Sequence, residues 1–157
     1  RVLGKPVRGG RQHYLRHSQP ETWTHHQAIG LDYDCSLGSA DSYGFEHGYS
    51  IKRPFDDAFV VFPLSIMELA LPNVETDPEG AWRECERLLE EAAANGAVMT
   101  VLCHPRFFSD LDFPNYGMLY RRLIERAQEL GGWVGPPGDY YERLAHPTPS
   151  ITPRQLG

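Results

Sequence analysis

Two segments of this chain carry side chains able to move a proton or grip an anion. Val98-Met-Thr-Val-Leu-Cys-His104-Pro105 is an apolar run of strand length ended by a histidine and a proline. It places an imidazole at the carboxyl end of a buried strand, where α/β enzymes do their chemistry. With an unperturbed pKa of about 6.5, an imidazole suits a general acid. A rim histidine bonded only to a backbone carbonyl would read the same. About ninety residues earlier, Arg8-Gly-Gly-Arg-Gln-His-Tyr-Leu-Arg-His17 ends a short extended segment. Its glycines let the backbone turn tightly or approach a ligand, Arg11 and Arg16 can each clamp a carboxylate, and Tyr14 can donate. A solvated surface loop and a single RGG contact to RNA are the competing readings. Two such strand ends imply one shared rim.

Other polar groups are less constrained. His13 and His17 have the four-residue spacing of helical metal ligands, but Pro20 starts the helix only after them. His25 and His26 point to different sides of a helix, which reads as one surface and one packed residue. Asp32 and Asp34 alternate on a strand and so share a face, beside whatever Arg11 or Arg16 reaches. The loop pair Asp56-Asp57 can bind a cation or stay hydrated. Glu46 and His47 have no role that their neighbours define.

The elements that must position these groups follow from pattern. Ser18 as a cap, Pro20 in the first turn and Glu21 at the positive end of the dipole predict a helix over 20–29, stopped by Gly30. Leu31 to Asp34 reads as a brief strand, and 35–57 as a long functional loop. Phe59 to Ile66 reads as a buried strand whose far end Pro63 turns into an edge or bulge. The clearest helix spans 78–95. Thr76 and Glu79 have capping-box spacing, Trp82, Cys85, Leu88, Leu89, Ala92 and Ala93 make its apolar face, and Gly96 ends it. A strand over 97–103, a loop over 104–114, a helix over 116–130 with Leu119, Tyr120, Leu123, Ala127 and Leu130 inward, a short strand at Trp133-Val134 and a last helix over 138–144 complete the order. Strands alternating with helices argue α/β with mainly parallel strands.

Composition bounds the function. At 157 residues with 41% hydrophobic residues, the chain supports one domain, 1–146, followed by a tail over 147–157 with three prolines in eleven residues. A net charge of -6 argues against a general nucleic-acid or anionic-membrane binder. Three cysteines without CxxC spacing argue against a zinc-thiolate site or a disulfide framework. No run approaches the ~18 apolar residues of a membrane span, and no signal peptide is present. The chain opens on Arg1 rather than methionine, which is expected of a fragment or a processed product.

Taken in succession, these segments resemble the C-terminal half of the polysaccharide deacetylase superfamily. Arg11-Gln-His-Tyr14 is similar to that family's Arg-x-x-Tyr, Gly30-Leu-Asp-Tyr-Asp34-Cys-Ser36 to its Gly-x-x-Tyr-Asp-x-Ser strand, and Leu102-Cys-His104 to its terminal Leu-x-His. Gly131-Gly-Trp133 with Tyr140-Tyr-Glu-Arg143 fits its closing strand and helix, so the likeness covers roughly 7 to 145. The resemblance implies part of a distorted (β/α) barrel with the N-terminal portion missing, and a metal-dependent hydrolase that removes N-acetyl groups from a carbohydrate. It implies a divalent metal, zinc first, in the full-length protein. It also implies His104 as the acid that protonates the departing amine, Arg11 orienting a catalytic aspartate, Tyr14 holding the oxyanion, and Asp34 paired with the arginine.

Arg16, Phe45 and Trp133 complete the expected substrate contacts. The family's Asp-Asp and His-x-x-x-His motifs, which supply the base and the metal ligands, precede its Arg-x-x-Tyr, and only ten residues precede Arg11. No metal ligands are therefore expected in this piece, and exposed strand edges would favour self-association. Where many members read Gly-Phe-Arg-x-Gly, this chain has Gly44-Phe-Glu46-His-Gly48. A non-catalytic carbohydrate-binding or interaction domain of the same fold, stacking sugars on Tyr43, Phe45, Tyr49 and Trp133, is the alternative.

Overall fold

Pro63 divides the apolar run of 59–67 into two strands that belong to different sheets. In the computed structural model, residue 4 and residues 6–145 are described; the expected tail over 147–157 lies outside them. One sheet has the order β1 (Gly9–Gly10), β2 (Tyr33–Asp34), β3 (Val60–Val61), and the other pairs β4 (Leu64–Met67) with β5 (Thr100–Leu102). Every pairing between these strands is parallel, with Gly10 opposite Asp34, Asp34 opposite Val61, and Met67 opposite Leu102. The chain does not turn at the proline. Phe62 N–H donates to Asp34 O at 2.9 Å and Leu64 N–H to Leu37 O at 2.7 Å, so 62–64 runs on beside 34–37. The carboxyl ends of all five strands therefore face one way.

Among the described residues four α-helices cover the strands: α1 (Glu21–Ala28), α2 (Pro78–Asn95), α3 (Tyr116–Glu129) and α4 (Pro137–Ala145). The protein is thus mixed α/β with short parallel strands, as the element order predicts. Helix α2 has the expected bounds, with Pro78 in its first turn and Gly96 in the left-handed conformation at φ 58°. Its cap is different. Asp77, not Thr76, accepts from Gly80 N–H at 2.9 Å, because the residue adjacent to the first helical position reaches the free amides of the first turn. Ala81, Trp82, Cys85, Leu88 and Leu89 of α2 join Ile66, Leu119 and Leu123 in the main core, while Ala93 is exposed. Arg122 stacks over Trp82, 4.2 Å from the ring centre, while pairing with Glu79.

Several expected features differ. The side chain of Ser18 does not cap α1; its backbone N–H instead donates to Thr22 Oγ1 at 3.0 Å. The strand expected over 97–103 is only three residues long, and it is half-buried beyond Thr100. Trp133 and Val134 form no strand and are each 40% exposed. Both differences have one cause. A strand exists through a partner's backbone, and β5 has β4 on one side only. On its other side an apolar cleft of about 490 Å³ separates 97–101 from 131–135. The outer edges of β1 and β5 have no strand partner among the described residues.

Candidate functional site

The carboxyl end of β4 leads straight into Glu68, and that of β5 into Cys103 and His104. Glu68 is 4% exposed, yet carries a carboxylate, and its Oε1 meets His104 Nδ1 in a short contact. A carboxylate taken out of water needs such a partner. An ionised carboxylate only accepts, so the imidazole hydrogen sits on Nδ1 and Nε2 is left to exchange protons. Glu68 Oε2 has no hydrogen-bond partner among the described residues. His104 itself is 47% exposed, so the pair joins a buried anion to a reachable ring. Pro105 starts a turn over Pro105–Phe108; Phe107, wholly buried, anchors it and donates its N–H to His104 O at 3.0 Å.

The segment after β1 makes a tight turn at His13–Leu15. Tyr14 and Leu15 both stand in the left-handed region, at φ 58° and 53°. Each such non-glycine residue costs about 1–3 kcal/mol and persists only where its surroundings hold it. Leu15 is held by an apolar cluster with Leu64, Met67 and Leu102. Two of those residues lie within one or two positions of Glu68 and His104. The turn and the Glu68–His104 pair thus share one rim. Tyr14 is displayed there, 76% exposed, with Arg16 5.8 Å from its ring centre.

Arg11 Nε donates to Cys35 O at 3.1 Å. It makes no ion pair with Asp34, contrary to the expectation, because that carboxylate is enclosed by other donors. Asp34 is fully buried and accepts from Ser36 N–H at 2.8 Å, Ser36 Oγ–H at 2.7 Å and Trp23 Nε1–H at 3.3 Å. His26 Nδ1 lies 3.0 Å from its Oδ2, without the alignment of a hydrogen bond. Asp34 is thus wholly buried among its donors, away from the surface of the rim. Asp32 pairs with Arg8 instead, at 3.5 Å. The glycines of β1 make room for neighbouring side chains rather than a ligand: a Cβ at Gly9 would lie 1.9 Å from the Tyr33 ring, and one at Gly10 would lie 3.1 Å from His26 Cε1.

Two expected substrate contacts are elsewhere. Phe45 packs on the α2 core, its ring 5.1 Å from that of Tyr49, whose hydroxyl donates to Glu91. Trp133 packs on α4, 5.7 Å from the Tyr140 ring and under Arg143. Neither makes a described contact with Glu68 or His104. Glu68 itself escapes the sequence reading, although an acid directly after an apolar strand is the same signal that singles out His104. The strand expected over 59–66 ends two residues short of it.

The cysteines are free, and burial pushes all three thiols up: Cys35 to about 11, with Arg11 opposing, Cys85 to about 12, and Cys103 to about 11, with Glu68 adding to the effect. Thiolate chemistry at neutral pH is therefore not what the rim provides. Among the described residues no three His, Cys, Asp or Glu side chains converge to hold a metal ion. The described residues do not fit the metal that the resemblance implies. No described helix is long and apolar enough to cross a membrane. No family model, curated protein or solved structure matches this chain significantly.

Proposed function

We propose that this rim is the proton-donating side of a hydrolase that removes N-acetyl groups from a carbohydrate, carried on part of a distorted (β/α) barrel. The Glu68–His104 pair supports this reading most: a buried carboxylate holds Nδ1 of the imidazole and leaves the other side of a half-exposed ring free at a strand end. When the amide C–N bond of an acetamido sugar breaks, the leaving nitrogen needs a proton, and His104 Nε2 donates it. Glu68 stabilises the imidazolium that precedes that transfer. Tyr14, displayed on the strained turn, donates to the oxygen of the tetrahedral intermediate, and Arg11, tied by its Nε to Cys35 O, holds the segment leading into that turn.

The family's metal, its ligands and its catalytic base belong, on this reading, to chain outside the described residues. The test uses the full-length protein with N-acetylglucosamine oligosaccharides. Acetate release is expected, and His104→Ala is expected to reduce it by about 10²- to 10⁴-fold. Oligosaccharide binding without any acetate release from the unmodified protein would favour the binding-domain alternative.

A further inference from the structure

The contacts around Gln12 lead back to one buried carboxylate. Asp34 holds Ser36 through both its backbone N–H and its hydroxyl, and Ser36 Oγ in turn accepts from Gln12 N–H at 2.8 Å. On the other side, Gln12 Nε2 donates to His26 Nε2 at 2.7 Å, which leaves the ring hydrogen of His26 on Nδ1, toward Asp34. His26 is 6% exposed and fits against Gly10, where a Cβ would lie 3.1 Å from its Cε1. Gln12 is therefore held at its backbone and at its side chain by two groups that share one anion.

Gln12 is also the residue that opens the strained turn: its carbonyl accepts from Leu15 N–H at 3.0 Å. We propose that His26 and Ser36 are positioning residues, acting through Gln12 to hold Tyr14 and Leu15 in their left-handed conformation on the rim. Neither reaches a substrate. Leu15 fixes the far end of the turn by packing, and the network of His26, Ser36 and Asp34 fixes its near end by hydrogen bonds. The kinetic consequence rests on the deacetylase reading; the conformational one does not.

His26→Leu and Gln12→Ala test it, with His26→Gln as the conservative variant that can still accept from Gln12. Hydrogen exchange at the Leu15 amide is expected to accelerate about tenfold in the first two, as for loss of one hydrogen bond, while the amides of α2 keep their protection. His26→Gln restores it. In turnover, both variants lower kcat with KM unchanged, because Tyr14 acts on the transition state. The double variant is no worse than either single one, since His26 works through Gln12. Unchanged Leu15 exchange, or losses that add in the double variant, would overturn the proposal. If His26→Leu does not fold, Gln12→Ala alone decides it by the same exchange measurement. If the unmodified protein releases no acetate, the deacetylase reading falls and the exchange result still judges the positioning network.

Discussion

A carboxylate that is 4% exposed and touches an imidazole that is 47% exposed has a direction built into it. The buried partner cannot meet a ligand, and the exposed one can. Glu68→Gln keeps the shape and removes the charge. Acetate release is expected to fall about tenfold to a hundredfold, since the imidazolium loses its counter-charge. Stability is expected to stay level or rise, because a buried charge has gone. Full activity in Glu68→Gln would show that the carboxylate only fills space. At this scale His104 was legible in sequence, as an imidazole ending an apolar strand. Its partner was not, because partners across a parallel pair come from distant segments, here 36 residues apart. The same holds for His26 and Gln12, whose contact joins a helix to a turn.

The elements themselves were legible wherever local chemistry sets their ends. Helix α2 has its expected bounds because Pro78 and Gly96 punctuate it, and α3 and α4 fall within a residue or so of theirs. Thr76 has the right spacing to Glu79 but stands one place too early to cap α2, and Asp77 takes that position. Asp77→Ala is expected to cost about 1 kcal/mol in urea unfolding, and Thr76→Ala less than about 0.5 kcal/mol. The reverse order would contradict the observed cap. Strands were less legible than helices. A strand of two or three residues is defined by its neighbour rather than by its letters, and Trp133-Val134, with an open cleft between it and β5, has none.

For the whole molecule, burial of the thiols sets the behaviour at high pH. Cys35 and Cys85 are held in the fold at about 11 and about 12, raised from 9.0. An unfolded chain loses these protons near pH 9, while the folded chain keeps them for two to three pH units more. The folded state binds more protons across that window, so stability is full below about pH 9 and falls as pH rises, by up to about 1.4 kcal/mol per unit for each thiol. The urea midpoint at pH 10.5 should lie below that at pH 8, with a shallower decline in Cys85→Ala. An unchanged midpoint would mean that these thiols are reachable by solvent. The parallel direction of the strands was foreseen from the alternation of elements. The break at Pro63, which distributes the strands over two small sheets, was not, because a proline signals an interruption without saying which sheet each side joins.

Proton donation by His104 makes turnover depend on the leaving group. An amine departs from an acetamide only with a proton, whereas a phenolate of low basicity departs from an activated acetate ester without one. Acetate release from an N-acetylglucosamine oligosaccharide and from such an ester should be compared in the full-length protein and in His104→Ala. The variant is expected to lose at least about 10²-fold on the acetamide while staying within a few-fold on the ester. Equal losses on both substrates, or no loss on either, would contradict it.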